Sequence, residues 1–267
     1  LHDAAIHNSC TEGARLSGAK RLSFPHNDWR AAEAALKESR RGARRALLVI
    51  EGHYSMDGDI PDLPRFIEIA RRHDAWLMVD EAHALGVVGT RGHGLHEYYG
   101  IDPNEVDIWM GTLSKTLSAC GGYIAGNASL IEWLKHSAPG FVYSVGLAPA
   151  LAAAALESLA IMHAEPERVA RLHANAALFL GLAREAGFDT GSATAHAIIP
   201  VILGSSIAAA RYSQSLLAHG INVQPIIYPA VAEKAARLRF FLSSEHTDAD
   251  IRATIAALSA IRAEAKK

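Results

Sequence analysis

Three short polar clusters follow apolar runs in the first half of the chain, and each contains side chains able to do chemistry. They are EGHYSMDG at 51–58, DEAH at 80–83 and GTLSKT at 111–116. In open α/β proteins, ligands bind just beyond the carboxyl ends of parallel strands. Because each cluster follows an apolar run, we expect the three to lie at that edge of one sheet.

The second and third clusters contain an acid and a base that a cofactor could use. Asp80 ends the apolar run WLMV, and a buried carboxylate there is costly unless a cation meets it. Lys115 lies between hydroxyl residues and glycines, where it could act as a Schiff-base nucleophile while the hydroxyls and loop amides hold a phosphate. Taken singly, Asp80 could cap a loop, and Lys115 could face solvent as most lysines do.

The DEAH cluster has two interpretations. It matches the Walker B motif of DEAH-box ATPases, but that function requires a G-x-x-x-x-G-K-[ST] phosphate loop upstream, and none precedes Asp80. In the other interpretation, Asp80 keeps a pyridine nitrogen protonated, His83 reaches the phenolic oxygen of the same ring, and Lys115 forms a Schiff base. These groups would make a pyridoxal-phosphate site, in which the ring is an electron sink.

The elements that must position these clusters alternate between short apolar runs and helical patterns, which is typical of an α/β protein with a mostly parallel sheet. We expect strands at 45–51, 76–79, 107–110 and 122–125. Apolar residues recur at helical spacing between the first two strands, which predicts an amphipathic helix at 63–72.

A smaller α+β unit is predicted in the second half of the chain. The patterns indicate helices at 149–163 and 167–186, a strand at 198–203, a helix ending at His219, a strand at 237–242 and a last helix. That last helix begins with a capping-box pattern, Thr247 to Asp250.

Composition excludes several function classes. The chain has 26 Lys and Arg against 28 Asp and Glu, a net charge of −2, so it lacks the charge for an electrostatic grip on nucleic acid or anionic membrane. Cys10 and Cys120 are interpreted as reduced thiols, which favours the cytoplasm. The longest apolar stretch, 146–162, is too short and interrupted to span a bilayer, and no spacing indicates metal ligands.

The segments at 51–58, 76–89 and 110–126 resemble three signature blocks of the α-oxoamine synthases, a family of fold-type-I pyridoxal-phosphate enzymes. Shorter similarities extend the resemblance from 7–9 to 244–247, over essentially the whole chain. The resemblance implies an α/β fold with a mostly parallel sheet in a large domain and a smaller C-terminal α+β domain.

This resemblance also implies a domain division and an assembly. We expect a cofactor-binding large domain at 1–146, and a linking helix with the small domain at 147–267. Because the chain starts at Leu1, we expect the N-terminal part of the large domain to be missing. Pyridoxal 5'-phosphate would be the cofactor, and a homodimer with shared active sites would be the assembly.

Particular residues acquire roles through the same resemblance. Lys115 would be the Schiff-base lysine, Asp80 the partner of the pyridinium nitrogen, and His7 the catalytic histidine that stacks on the ring. His83 and Ser55 would hydrogen-bond the phenolic oxygen.

Other matched residues would hold the phosphate and the substrate. Thr112 and Ser114 match the phosphate-side hydroxyls, and Ser144 is a candidate for a phosphate contact across the subunit boundary. Val145 replaces a second hydroxyl residue found in many relatives. Arg239 matches the arginine that binds the amino-acid carboxylate, a role suited to a bidentate guanidinium.

The implied activity is the decarboxylative condensation of an amino acid with an acyl thioester, carried by coenzyme A or an acyl-carrier protein, to give an α-amino ketone. An aminotransferase or aldolase of the same fold and, more distantly, a DEAH-type ATPase are the alternatives. The segment PIIYP at 225–229 is apolar where some relatives that use dicarboxylic acyl chains have an arginine, which favours an apolar acyl group. Glycine, alanine and serine all stay open as the amino acid.

Overall fold

A computed structural model describes residues 1–264, and strands and helices alternate along most of it. The strands are β1 (His2–Asp3), β2 (Ser23–Phe24), β3 (Leu47–Glu51), β4 (Trp76–Asp80), β5 (Ile108–Thr112), β6 (Gly122–Gly126), β7 (Ile198–Ile202), β8 (Gln224–Ile226) and β9 (Arg237–Phe241). The helices are α1 (Asn8–Leu16), α2 (Trp29–Ser39), α3 (Leu63–Arg72), α4 (Leu95–Tyr99), α5 (Ala128–Ser137), α6 (Pro139–Val142), α7 (Pro149–Ala164), α8 (Glu167–Glu185), α9 (Ser206–Ala218) and α10 (Asp248–Glu264).

Strands β1 to β6 form one sheet in the order β2-β1-β3-β4-β5-β6. All neighbours in it are parallel except β5 and β6, which confirms the prediction of a mostly parallel sheet. The four strands expected in the first half are present with shifted ends. Strand β5 reaches Thr112, beyond the expected residue 110, because its last residues pair with the start of β6.

The core of this sheet is apolar: β3 is buried along most of its length, and β4 buries Leu77 and Val79 but leaves Trp76 exposed. Helix α3 packs there as its periodicity predicts, with Leu63, Phe66 and Ile67 buried. Asp62 caps the start of this helix by accepting a hydrogen bond from the Arg65 amide. The helix therefore closes one side of the strands that carry the polar clusters.

Strands β7 to β9 form a second, antiparallel sheet in the order β7-β9-β8. Helix α10 begins as its capping-box pattern predicts: the Thr247 hydroxyl accepts from the Asp250 amide, and the Asp250 carboxylate accepts from the Thr247 amide and hydroxyl. The helix buries Ile251, Ile255 and Leu258, as expected.

Contacts between residues divide the chain into two compact units. The first contains Leu1–Tyr54 and Ile60–Pro166, and the second contains Ser55–Asp59 and Glu167–Lys267. By these contacts, helix α7 is part of the first unit. The division into a large domain at 1–146 and a linking helix with a small domain at 147–267 stays a prediction. The short segment Ser55–Asp59 joins the second unit although both of its neighbours in sequence belong to the first.

Helix α7 is apolar around most of its circumference. It has the sequence PALAAAALESLAIMHA, and only Met162 in it is buried. Leu156 and Ile161 are exposed. Within residues 1–264, none of the helices combines the length and apolar character needed to cross a membrane.

Candidate active site

Six of the predicted site residues line one cavity of about 390 Å³ in the first unit. They are His7, Asp80, His83, Thr112, Ser114 and Lys115. The cavity lies at the carboxyl edge of the sheet, where Glu51, Asp80 and Met110 are aligned on neighbouring parallel strands. Its size falls within the range of small-molecule sites, roughly 300–1,000 Å³.

Asp80 is a buried carboxylate with few compensating partners. Its side chain is at the end of β4, and Oδ1 accepts a hydrogen bond of 2.9 Å from the Ala82 amide. Burial raises the pKa of Asp80, while the Ala82 amide and the charges of Lys115 and His7 oppose the rise. A cationic group bound in the cavity would favour the ionised form, so Asp80 suits a protonated ring nitrogen.

The turn after β5 presents hydroxyl groups to the cavity. The Thr112 and Ser114 hydroxyl oxygens are 2.8 Å apart, and the Ser114 amide donates to the Thr112 hydroxyl at 3.2 Å. The Leu113 amide donates to the Gly121 carbonyl, which closes the turn. Both hydroxyl residues are accessible, as an anion-binding loop requires.

Lys115 is held in place through the residue that follows it. The Thr116 hydroxyl donates to the Leu85 carbonyl at 2.7 Å. Its methyl group packs so closely on Gly86 that an added Cβ there would lie 2.2 Å away. The lysine loop is therefore fixed to the loop that follows the DEAH cluster.

His7 also lines the cavity and is the N-cap of α1. Its Nδ1 accepts from the Ser9 amide at 3.3 Å and lies 2.8 Å from the Ser9 hydroxyl. The ring is exposed and lines the cavity together with Asp80 and Lys115. An aromatic ring in this position is available to stack on a bound planar molecule.

Glu81 is a buried acid behind Asp80 to which the motif analysis assigned no role. It accepts from the Leu95 amide at 3.1 Å. Its carboxyl group fills space next to Gly52 and Gly94, where an added Cβ would lie 2.7 Å and 2.1 Å from its oxygens. Burial, opposed by the Leu95 amide and reinforced by the charge of Asp80, raises the pKa of Glu81 to about 8.

A tyrosine covers the neighbouring strand on this side. Tyr123 in β6 lies over Gly111 in β5, where an added Cβ would be 2.4 Å from the phenol oxygen. Burial, together with the charges of Glu81 and Asp80, raises the pKa of Tyr123 to about 12. The glycines at 52, 94 and 111 were the sequence signal for these large buried partners, but a glycine does not specify which side chain fills its space.

Two predicted residues, Ser55 and Arg239, belong to the second unit. Arg239 donates through Nη1 to the Ser55 carbonyl at 3.0 Å and to the Met56 sulfur at 3.4 Å. Its Nε is buried and has no hydrogen-bond partner in the part of the chain that the structure describes. Burial and the nearby Arg237 lower the pKa of Arg239. A buried guanidinium donor of this kind is suited to hydrogen-bond the carboxylate of a ligand.

Ser144 does not line the cavity of the first unit. It lies in an exposed turn between Tyr143 and Val145, and its hydroxyl accepts from the Gly146 amide at 3.1 Å. Within residues 1–264, no cluster of three or more His, Cys, Asp and Glu residues could hold a metal ion.

Comparison with known proteins defines first a class and then a family. A Sphingomonas wittichii serine palmitoyltransferase matches with a TM-score of 0.92 and 31% identity, over 99% of this chain and 66% of that one. A high-resolution structure of serine palmitoyltransferase (SPT) with the internal aldimine of pyridoxal phosphate (PLP) matches with a TM-score of 0.90 and 31% identity, over 98% of this chain and 66% of that one. The fold is therefore that of a fold-type-I transferase.

The sequence comparisons are more specific. The family Aminotransferase class I and II matches residues 1–258. An 8-amino-7-oxononanoate synthase of Fervidobacterium nodosum is 43% identical over 94% of this chain and 64% of its own length. A 2-amino-3-ketobutyrate coenzyme A ligase of Escherichia coli is 40% identical over 98% of this chain and 66% of its own length.

The chain therefore belongs to the Aminotransferase class I and II family, and within it to the α-oxoamine synthases. It spans about two thirds of the length of these curated relatives.

Proposed function

We propose that this chain is part of a pyridoxal-phosphate enzyme that condenses an amino acid with an acyl thioester, with decarboxylation, to give an α-amino ketone. The observation that carries the proposal is the cavity that Asp80, Lys115 and His7 line together. The names of the relatives, two kinds of α-oxoamine synthase and serine palmitoyltransferase, support the same reaction class.

The residues present fit pyridoxal 5'-phosphate. Asp80 would face the ring nitrogen; burial raises the pKa of Asp80, and a cationic ring nitrogen would favour its ionised form. His7 would stack on the ring, and His83 would hydrogen-bond the phenolic oxygen. When bound, the cofactor would serve as an electron sink for charge that develops on the substrate.

Hydroxyl groups would hold the phosphate and the rest of the ring. Thr112 and Ser114, paired at 2.8 Å on an accessible turn, would contact the phosphate, and Ser144 would contact the phosphate bound by a partner subunit. Ser55 would share the phenolic oxygen with His83.

Substrate binding and proton transfer would involve two cationic residues. Arg239 would bind the amino-acid carboxylate through its buried Nε, which has no hydrogen-bond partner among residues 1–264. Lys115 would bind the cofactor and then, when released by the amino acid, take the proton from the α-carbon as a general base. The apolar segment at 225–229 favours an apolar acyl group on the thioester.

The exposed apolar surface favours a homodimer with shared active sites. Phe141, Tyr143, Val145 and Leu147 are all exposed, Val145 completely so, and α7 adds further exposed apolar residues nearby in sequence. A concentration of exposed apolar side chains is typical of interaction sites. We propose the cytoplasm as the location, since both cysteines are free thiols.

Absorption spectroscopy of the purified chain with pyridoxal phosphate tests this proposal. We expect a yellow band that borohydride removes, and no lysine-linked band in Lys115→Ala. Lys135→Ala is the matched control, because this exposed lysine pairs with Glu132 in its own helix and does not line the cavity. A chain that stays colourless would refute the proposal, and ATP hydrolysis would then be measured.

Substrate assays distinguish the synthase from other enzymes of this fold. Glycine, alanine and serine would be added in turn with an acyl-CoA, and thiol release would be followed. We expect thiol release that depends on one of these amino acids. Transfer of the amino group to a keto acid without thiol release would favour an aminotransferase instead.

A further inference from the structure

Asp3, at the end of β1, is a buried carboxylate that accepts several hydrogen bonds. Its side chain is fully buried. Oδ1 accepts from the Ala5 amide at 2.7 Å and lies 2.9 Å from His26 Nδ1. Oδ2 accepts from the Asn27 amide at 2.7 Å and from the Tyr54 hydroxyl at 2.9 Å. Replacing a buried acceptor of this kind leaves its donors unsatisfied.

The turn shaped by Asp3 leads directly to His7. The Ala5 amide donates to the Asp3 side chain, and the Ile6 amide donates to the Asp3 carbonyl at 3.2 Å. A side-chain oxygen that accepts a hydrogen bond from the amide two residues later stabilises such turns. The Ile6 side chain is buried, and His7 then caps α1. The backbone therefore enters His7 from a turn that Asp3 defines.

The same carboxylate ties this turn to the loops after two neighbouring strands. Asn27 follows β2 with φ of 55°, and its side chain donates to the Ile60 carbonyl at 2.9 Å. Tyr54 follows β3, and its ring meets the His26 ring edge-on at 4.4 Å. Since β1 lies between β2 and β3 in the sheet, one buried group fixes three adjacent loops.

His7 depends on its backbone for its orientation. Within residues 1–264 its ring hydrogen-bonds only Ser9, which lies in the helix that His7 itself caps. No other side chain therefore anchors the ring by a hydrogen bond from outside that helix. A stacking group needs support that holds it within about 0.5 Å of its working position.

We propose that Asp3 is a positioning residue that holds His7 where it stacks on the cofactor, an inference that rests on the proposed function. Asp3 does not line the cavity and would contact neither cofactor nor substrate. The effect on binding that we propose runs through the turn at residues 3–6, which leads to His7.

A double-mutant cycle on cofactor affinity tests the inference. The dissociation constant for pyridoxal phosphate would be measured by absorbance titration of the full chain and of the variants Asp3→Ala, His7→Ala and both together. Each single change should raise the constant about tenfold, the loss of one aromatic contact. The double variant should bind no more weakly than either single variant, because both changes remove the same contact.

Two further variants separate positioning from general stability. Tyr54→Phe removes one hydrogen-bond donor to Asp3 but leaves the hydrogen bond from the Ala5 amide. We therefore expect Tm to fall while the dissociation constant for pyridoxal phosphate changes by less than about twofold. Asp3→Asn keeps an acceptor oxygen for the Ala5 amide and should restore affinity to within about threefold of the wild type. If Asp3→Ala does not fold, Asp3→Asn takes its place in the cycle. Any increase of twofold or more that Asp3→Asn causes in the dissociation constant should then be absent in the His7→Ala background.

The outcomes are distinct. Effects of Asp3 and His7 that multiply in the double variant would show that Asp3 acts independently, and the inference would be wrong. Tyr54→Phe weakening affinity as much as Asp3→Ala would also overturn it. A wild-type chain that binds no pyridoxal phosphate would instead refute the proposed function, and with it this inference.

Discussion

Replacing Glu81 with glutamine should remove a pH dependence from the stability of the first unit. Glu81 is buried beside Asp80, and its pKa is raised from 4.5 to about 8. An acid with a raised pKa binds a proton on folding, so the contribution of Glu81 to stability is fully present below pH 4.5 and is lost as the pH rises towards 8. Each pH unit in that window removes about 1.4 kcal/mol, which amounts to about 3 kcal/mol at pH 7.

The Glu81→Gln variant keeps the shape of the side chain and an oxygen that can accept from the Leu95 amide. We expect it to exceed the wild type in the free energy of unfolding by about 1 kcal/mol at pH 5 and up to about 3 kcal/mol at pH 7, with a plateau above pH 8. Urea unfolding between pH 5 and 9 measures this difference. Tryptophan fluorescence reports the first unit, since all four tryptophans are in it: Trp29, Trp76, Trp109 and Trp133.

A neighbouring glutamate supplies a control of opposite sign. Glu97 accepts from the Arg91 and His93 amides and from the Thr90 hydroxyl, and these bonds lower its pKa despite partial burial. Its stabilising contribution is therefore present above pH 4.5 and lost as the pH falls, so Glu97→Gln should destabilise the protein at neutral pH. Parallel pH profiles for Glu81→Gln and the wild type would refute the reasoning.

Three substitutions in the second unit have effects that follow from single contacts. Thr247→Ala removes the hydroxyl that pairs with Asp250 at the start of α10, and urea unfolding followed by circular dichroism should show a loss of about 1 kcal/mol; no loss would contradict the capping role. Gly58→Ala puts a methyl group 2.0 Å from the Ile198 carbonyl oxygen at φ of 70°. By the same assay it should cost about 1–3 kcal/mol from backbone strain alone, and a neutral result would contradict the clash. Arg239→Lys should raise KM for the amino acid roughly tenfold to hundredfold, because a charged hydrogen bond contributes about 1.5–3 kcal/mol; an effect on kcat alone would argue against carboxylate binding.

The sheet could be predicted from sequence because its determinants are local. The runs that became β3 and β4 are short, apolar and followed by polar residues, and parallel strands that end together must bring those residues to one edge. This logic is sufficient to gather Asp80, Thr112 and Lys115 around one cavity.

Features that depend on distant partners could not be predicted in this way. Asp3 precedes its partner Tyr54 by 51 residues, and no short motif joins them. The roles of Gly52 and Gly94 become visible only once Glu81 is seen to fill the space between them. Strand ends shifted for the same reason, since the end of β5 is set by its pairing with β6.

The assignment of Ser55–Asp59 to the second unit has a consequence for biosynthesis. Asp57 pairs with Arg237 at 2.7 Å, and the Gly58 carbonyl accepts from the Thr194 amide and hydroxyl. Because the chain leaves the ribosome from its amino terminus, this segment emerges 180 residues before the arginine that neutralises Asp57. Its contacts with Arg237 and Thr194 can form only after those residues have been synthesised. A gene fragment encoding only 167–267 would never supply it, and Arg237 would then be left without this counter-ion.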